Sequence, residues 1–212
     1  MEKGSLKRHF FIAVNLPSGA KKQIERDVRA KSEDKAYAEW RWKPAAEYHI
    51  SLAFPGALDE AEVKRLRTAL ATLDHESFDI DLKGVRFFLR HNDPKRKEDN
   101  QHVLWLGLSR EAENNLRVLH HKVIDLLKRN GFHYGRNDIT PHVSIAKVPM
   151  DDISAMRDFS DAHGEFTSKS WHCDKVSLYE TLTPENPRYA EKKEKTGSRY
   201  VEVEHYRLRN VV

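Results

Sequence analysis

The sequence predicts an α+β protein in which antiparallel sheets carry helices on their outer side. Strand and helix patterns follow the order β, α, β, β, α, β roughly twice in 212 residues, and each half contains one strand with the same motif. The length is sufficient for one domain, or for two tightly fused halves, with a substantial core. The pattern alone leaves open whether the strands form two sheets or one continuous sheet.

The repeated motif occupies residues 48–54, with the sequence YHISLAF, and residues 141–147, with the sequence PHVSIAK. Each copy places a histidine two residues before a serine among apolar, partly β-branched residues, which is typical of a strand. Side chains alternate between the two faces of a strand, so His49 and Ser51 share one face, as do His142 and Ser144. If the strands are neighbours, both imidazoles converge, and two histidines can supply the general base and general acid for phosphodiester chemistry.

The first half of the chain alternates between strand and helix patterns. We expect, in order, a strand at 9–16, a helix at 19–30, a loop at 31–38, a short strand at 39–43 and the first motif strand, closed by turn residues at 54–56. Asp59 and Glu62 form a capping-box pattern, which predicts the start of a second helix. Alternation from 78 to 90, with Gly84 as a bulge, predicts a strand that turns at 92–100 into another at 102–108.

The second half begins with the apolar stripe of a long helix, which should end at Gly131. We then expect a loop at 132–139, the second motif strand, a short helix at 151–161 and strands at 166–168, 175–181 and 200–208. The segment 183–199 is rich in Pro, Glu, Lys and Gly and has no apolar stripe. It is predicted to be a long, mobile hairpin loop.

Composition indicates an ordinary globular protein with a heavily charged surface, since 39% of the residues are hydrophobic and 33% are charged. The net charge of +4 is compatible with an anionic partner without requiring one. Cys173 is the only cysteine, so an intrachain disulfide is excluded and a cytoplasmic location is the default expectation. No apolar run approaches the ~20 residues of a membrane span, and we expect a monomer that does not insert into membranes.

The paired His-x-Ser-x motifs resemble those of the two-histidine phosphoesterase superfamily and, within it, of the LigT-like RNA 2′,3′-cyclic phosphodiesterases. Further similar segments are FFIAVNLP at 10–17, WKP at 42–44, VLWLGL at 103–108, TP at 140–141 and SLYE at 177–180, so the resemblance covers most of the chain. Both motifs have serine where the family's His-x-Thr-x motif often has threonine. Lys147 stands where arginine is common, which keeps the charge and loses the bidentate geometry.

The resemblance implies a bilobal arrangement, with two antiparallel sheets related by a pseudo-two-fold axis around a central groove. It implies hydrolysis of an RNA-terminal 2′,3′-cyclic phosphate to a 2′-phosphate, with His49 as proton donor and His142 as proton acceptor. Ser51 and Ser144 would donate hydrogen bonds to the phosphate. No metal and no cofactor is expected, and the reverse reaction, which joins RNA ends in a 2′-5′ linkage, uses the same groups. An unperturbed imidazole pKa of ~6.5 would allow both protonation states at neutral pH.

Three more side chains are candidates for contacting the substrate. Lys147 leaves the second motif strand beside the groove, although its odd spacing from His142 places it on the opposite face of a regular strand. The rings of Phe54 and Tyr179 are suited to stacking on a base, with core packing as the alternative role. The basic runs at 95–97 and 192–195 are interpreted as solvated loops.

Two other functions stay open at this point. The first is a phosphodiesterase for 2′-5′ oligonucleotides or small cyclic nucleotides, with the same four motif residues and a different pocket. The second is a non-catalytic module that binds RNA ends, against which the presence of two titratable groups argues. A third His-x-Ser pattern, at His75, lies among charged residues without a strand and is interpreted as accidental. His120 and His121 are placed on a solvated helix face, and His172 beside Cys173 is a poor candidate for zinc.

Overall fold

The computed structural model describes residues 7–30, 35–91 and 100–210. The strands are β1 (Arg8–Asn15), β2 (Arg41–Trp42), β3 (His49–Leu58), β4 (Phe78–Ile80), β5 (Leu82–Phe88), β6 (His102–Leu108), β7 (Val143–Val148), β8 (Trp171–Cys173), β9 (Lys175–Thr181) and β10 (Tyr200–Arg207). The α-helices are α1 (Ser18–Asp27), α2 (Glu60–Leu70), α3 (Arg110–Arg129), α4 (Ile153–Ala162) and α5 (Arg188–Thr196). All pairings between these strands are antiparallel, so the predicted α+β class is confirmed.

The larger sheet has the strand order β10-β9-β1-β3-β7-β6-β5, and β2 pairs with β7 beside this path. The motif strands β3 and β7 are neighbours at its centre, joined by a single residue pair, Ile50 opposite Val143. One half therefore contains β10, β9, β1 and β3, and the other contains β7, β6, β5 and β2. In the described part of the chain, β4 and β8 form a separate two-stranded sheet. The large sheet is thus continuous, but among the described residues its two halves are joined only through the Ile50–Val143 pair. The pseudo-two-fold relation between the halves stays a prediction.

The hydrophobic core combines the apolar face of the large sheet with the apolar stripes of α1 to α4. Ile12 and Ile50 from the sheet are fully buried, as are Ile24, Leu66 and Leu119 from three of the helices. This burial removes apolar surface from water and leaves the opposite face of the motif strands available for polar side chains. None of the helices in the described part of the chain has the length and apolarity needed to cross a bilayer.

Several local predictions are confirmed where the chain changes direction. The carboxylate of Asp59 accepts a hydrogen bond from the backbone N–H of Glu62 at 2.8 Å, and that of Glu62 accepts one from Asp59 at 2.9 Å, which is a capping box. Gly131 follows α3 with a φ of +71°. Gly84 has a φ of +70° beside a shift in the β5–β6 register, and an added Cβ would lie 2.7 Å from the carbonyl oxygen of Gly164. Only glycine fits this bulge without displacing the neighbouring backbone.

The predicted turn at 54–56 is wrong, because β3 continues to Leu58. Phe10 pairs with Gly56 whereas Ile12 pairs with Ala53, so two residues of β3 oppose one residue of β1 in a bulge. Pro55 lies in this bulge, where its missing N–H does not interrupt the hydrogen bonds of the sheet. The strand predicted at 166–168 is also absent, since only an isolated bridge between Lys83 and Thr167 forms there.

The segment 183–199 connects β9 to β10 in a hairpin, as predicted, but it contains α5 and is not a plain loop. This helix buries none of its residues, which explains why its sequence has no apolar stripe. Glu191 and Lys195, which are one helical turn apart, form an ion pair at 2.6 Å that supports the helix. Gly197, with a φ of +67°, ends it. The predicted turn at 92–100 and its basic run at 95–97 lie outside the described residues, except for Asn100.

Candidate active site

The four motif side chains line one cavity of about 690 Å³ where the two halves of the sheet meet, called the motif cavity below. These side chains are His49, Ser51, His142 and Ser144. The intervening residues of both motif strands point into the core, and Ile50 and Val143 are completely buried. The alternation of strand side chains therefore places the two histidines and the two serines on the open face of neighbouring strands.

The backbone holds both imidazoles in the same way. Nδ1 of His49 lies 2.8 Å from the carbonyl oxygen of Glu47, and Nδ1 of His142 lies 2.7 Å from the carbonyl oxygen of Thr140. A carbonyl oxygen can only accept a hydrogen bond, so Nδ1 carries the proton in both rings. The neutral tautomer is thereby fixed, and the lone pair of each imidazole lies on Nε2.

Each Nε2 faces the serine of its own motif. The distance from Nε2 to Oγ is 3.0 Å between His49 and Ser51 and 3.1 Å between His142 and Ser144. With Nε2 unprotonated, each serine hydroxyl donates to it, and with Nε2 protonated the hydroxyl is released to donate elsewhere. The site therefore contains two equivalent pairs, each able to exchange one proton with a bound molecule.

Aromatic rings flank both imidazoles, and the sequence analysis did not identify them as site residues. The ring centroids of Phe11 and Tyr200 lie 4.9 and 5.4 Å from that of His49, and those of Phe88 and Trp105 lie 5.1 and 5.5 Å from that of His142. Phe11 belongs to β1 and Trp105 to β6, the strands that pair with the motif strands on their outer sides. Both residues lie in segments that carry the family resemblance, and this resemblance was the sequence feature that could have identified them as site residues.

Burial and positive charge keep both imidazoles neutral in the unliganded site. Burial, followed by the charge of Lys43, lowers the pKa of His49 to about 3. The pKa of His142 is lowered by burial, and the charges of Lys43 and Arg90 add to this effect. The expectation of unperturbed imidazoles is therefore wrong, because both rings lie in a site that disfavours a further positive charge.

Cationic side chains form part of the wall of the motif cavity. Lys43, Arg90 and Arg136 line it together with the carboxylates of Glu47 and Asp138. The sequence analysis did not single out these cations, although Lys43 belongs to the WKP segment quoted for the resemblance. An excess of cations around two neutral imidazoles favours an anionic ligand.

Both motif strands contain a bulge that brings the fifth residue after the histidine onto the face of the serine. In β3, Ala13 pairs with Ser51 but Ile12 pairs with Ala53, and Phe54 consequently emerges on the cavity side. In β7, Trp105 pairs with Ser144 and Val103 with Lys147, so two residues of β6 span three of β7. Trp105 and Val103 are two residues apart on β6 and therefore share a face. Their partners Ser144 and Lys147 consequently also lie on one face, despite the odd spacing between His142 and Lys147.

The three predicted substrate contacts occupy different places. Phe54 lines the motif cavity and is 50% exposed. Lys147 shares the face of Ser144 but is not among the cavity's lining residues, and Lys43 supplies a cation there instead. Tyr179 is buried beneath Phe11, in a smaller neighbouring cavity that also touches His49. Burial raises its pKa to about 12.

The other histidines lie outside the motif cavity. Nδ1 of His75 bonds the carbonyl oxygen of Glu76 at 2.6 Å. The placement of His120 on a solvated face is wrong: it is completely buried, with its ring nitrogens 2.8 and 3.1 Å from the carbonyl oxygens of Leu52 and Asn137. Within residues 7–30, 35–91 and 100–210, no three His, Cys, Asp or Glu side chains are grouped as metal ligands would be.

The sequence profile of the 2′-5′ RNA ligase superfamily matches residues 16–185 of this chain. The chain belongs to this superfamily. The match includes both motif strands and most of the residues that line the motif cavity.

Individual relatives agree with this assignment. The chain is 28% identical over 187 residues to an RNA 2′,3′-cyclic phosphodiesterase of Geobacillus stearothermophilus, covering 85% of this chain and 54% of that protein. It is 25% identical over 190 residues to an RNA 2′,3′-cyclic phosphodiesterase of Bacillus subtilis, covering 88% and 94%. The chain thus spans about half the length of the first relative and nearly all of the second. The crystal structure of E. coli LigT in apo form superposes with a TM-score of 0.68 at 18% identity, covering 97% of this chain and 99% of that one, which confirms the fold.

Proposed function

We propose that this protein hydrolyses phosphodiesters, and specifically the 2′,3′-cyclic phosphate at an RNA end, with the two motif histidines as acid and base. One observation carries the proposal: two imidazoles with the same tautomer and the same serine partner line a single cavity of about 690 Å³. The relatives named RNA 2′,3′-cyclic phosphodiesterase support the choice of substrate.

The proposed reaction transfers two protons and exchanges one bond. Nε2 of His142 takes a proton from water, whose oxygen attacks phosphorus. The bond from phosphorus to the ribose 3′ oxygen breaks, and that oxygen takes a proton from Nε2 of His49, which leaves a 2′-phosphate. The assignment of donor and acceptor follows the family resemblance, because the hydrogen bonds of the two rings are equivalent.

The lowered pKa values require the substrate to help protonate the donor. In the free protein both rings are neutral at pH 7, so the base is ready and the acid is not. A phosphate between the rings adds a negative charge, which favours an imidazolium beside it. Ser51 and Ser144 are then free to donate their hydroxyl protons to the non-bridging oxygens, where negative charge develops in the transition state. Lys43 and Arg90 add positive charge on the cavity wall.

The scheme needs only water, the substrate and the proton transfers and hydrogen bonds of the motif side chains, so metal-independent turnover is part of the proposal. The reverse direction uses the same groups: a ribose 5′ oxygen replaces water as the nucleophile on the cyclic phosphate and creates a 2′-5′ linkage. A cytoplasmic location, expected from the single cysteine, also belongs to the proposal.

The test is incubation of the purified protein, in chelator, with an oligonucleotide that ends in a 2′,3′-cyclic phosphate and, separately, with a 2′-5′-linked dinucleotide. Product identification should show the 2′-phosphate from the first substrate at the higher rate. Faster cleavage of the 2′-5′ dinucleotide would instead favour a 2′-5′ phosphodiesterase, and binding of the oligonucleotide without any turnover would indicate a binding module.

A further inference from the structure

The sheet half that carries His49 has a row of aromatic rings on its open face. The ring centroids of Phe54 and Phe11 lie 6.4 Å apart, and those of Phe11 and Tyr179 lie 5.1 Å apart. Tyr200 stands edge-on to Phe11 at 4.9 Å. Phe11 and Tyr179 are buried, but Phe54 at the end of the row is 50% exposed. Antiparallel four-stranded sheets that present aromatic rings in this way are a recurrent platform for stacking the bases of single-stranded RNA.

A second cavity, the side cavity, opens along this row next to the motif cavity. Its volume is about 370 Å³, and it shares His49, Phe54 and Tyr200 with the motif cavity. It extends over Thr181 and Arg199, and none of the second-motif side chains lines it. The two cavities therefore meet at Phe54 and Tyr200, and the side cavity reaches the size range of small-ligand pockets, ~300–1,000 Å³.

The charge of the side cavity suits a nucleotide. The guanidinium carbon of Arg199 lies 5.5 Å from the ring centroid of Tyr200, and the backbone N–H of Arg199 donates to Oε1 of Glu47 at 3.0 Å. The guanidinium lines the cavity, where it contacts the Tyr200 side chain and is attracted by the carboxylate of Glu47. No carboxylate of the described residues lines this cavity. An aromatic surface beside a cation is the combination that binds a base together with a phosphate.

We propose that the side cavity binds the nucleotide that precedes the terminal, cyclic-phosphate-bearing nucleotide of an RNA chain. This inference rests on the proposed function, which places the terminal nucleotide in the motif cavity. The preceding base stacks on the exposed ring of Phe54, and the phosphate that links it to the terminal nucleotide contacts Arg199. The site therefore binds and cleaves RNA ends in preference to free cyclic mononucleotides, because a mononucleotide leaves the side cavity empty.

The experiment compares adenosine 2′,3′-cyclic phosphate with the dinucleotide ApA that ends in a 2′,3′-cyclic phosphate. We expect kcat/KM to be about tenfold higher for the dinucleotide, which corresponds to ~1.4 kcal/mol and lies within the contribution of one stacked base. Arg199→Gln removes the cation, and Thr181→Trp fills the cavity. Each should reduce the dinucleotide-to-mononucleotide ratio towards one. The matched controls Arg207→Gln on β10 and Thr68→Trp on α2 should keep the ratio of the unmodified protein.

Binding of the corresponding 2′-phosphate products, measured by calorimetry, gives a dinucleotide-to-mononucleotide affinity ratio that does not depend on turnover. Equal kcat/KM and equal affinity for the one- and two-nucleotide ligands would overturn the inference while leaving the proposed function intact. A preference for two nucleotides that survives both Arg199→Gln and Thr181→Trp would also overturn it, because the second nucleotide would then bind elsewhere. Absence of turnover with either substrate would count against the proposed function, and the affinity ratio would still decide the side cavity.

Discussion

Binding of a nucleoside 2′-monophosphate at pH 7.5 should draw about one proton from the buffer into the motif cavity. The pKa of His49 in the free protein is about 3, so its protonation at pH 7.5 requires a shift of ~4.5 units, or about 6 kcal/mol at ~1.36 kcal/mol per unit. Two unit charges ~4 Å apart at an effective dielectric constant of ~20 interact by about 4 kcal/mol. A dianionic phosphate between the rings therefore offers roughly 8 kcal/mol, which exceeds the requirement.

The assay is titration calorimetry of one ligand in several buffers that differ in ionisation enthalpy. A phosphate monoester with a second pKa of ~6 is already dianionic at pH 7.5, so the proton must come from the buffer and not from the ligand. The slope of the observed enthalpy against the buffer's ionisation enthalpy then counts the protons taken up. Because protonated His49 binds the ligand better, affinity should also fall about tenfold per pH unit above pH 7.5.

The variants that locate the proton are His49→Asn and His75→Asn. The first should abolish the uptake if His49 is the donor, and the second should leave it unchanged, because His75 lies outside the motif cavity and bonds its own neighbour's carbonyl. A slope of zero in the unmodified protein would refute the reasoning, since the bound phosphate would then leave both imidazoles neutral and neither could act as the acid.

The remaining predictions concern turnover of the cyclic-phosphate substrate. His49→Ala and His142→Ala should each reduce the rate by a factor on the order of 10²–10⁴. The double variant should lose less than the product of the two single factors, because acid and base act in one transition state. His75→Ala, the internal control, should show the rate of the unmodified protein. Ser51→Ala or Ser144→Ala should be milder than loss of a histidine, with an upper limit of roughly 3–4 kcal/mol for one donor to the developing charge, whereas Ser51→Thr should be nearly neutral in the same initial-rate assay. Rates in excess EDTA should equal those without it, and a loss that zinc or magnesium restores would show that a metal takes part.

The motif strands could be predicted because their signal is local. A histidine and a serine two residues apart in an apolar segment share a face whatever the strand pairs with, and the capping box at Asp59 needs only four consecutive residues. The helix α5 could not be predicted in this way, because it buries none of its residues and therefore has no apolar stripe; the Glu191–Lys195 pair supports it and Gly197 ends it.

Other features of the site depend on which strands are neighbours. The aromatic walls combine Phe11 with His49 and Trp105 with His142, and the residues of each pair lie about 40 positions apart in the sequence. The lowered pKa values depend on burial by these walls and on Lys43 from a third segment. The spacing of residues along one strand shows which side chains share a face, but not which strands are its neighbours. The sequence therefore indicated the two histidines but not the residues that surround them.

The two bulges give the site an asymmetry that its histidines lack. His49 and His142 have equivalent backbone and serine contacts, so these contacts alone do not distinguish an acid from a base. The fifth residue after each histidine does differ: Phe54 in the first strand and Lys147 in the second, each brought to the face of its serine by a bulge. Phe54 lines the motif cavity and is half exposed, whereas Lys147 lies on the face of its serine without lining the cavity, so the two motif strands offer different contacts to a nucleotide. We expect the roles of the two histidines to depend on such differences between the cavity walls, because the walls that hold the nucleotides set which ribose oxygen lies next to which imidazole.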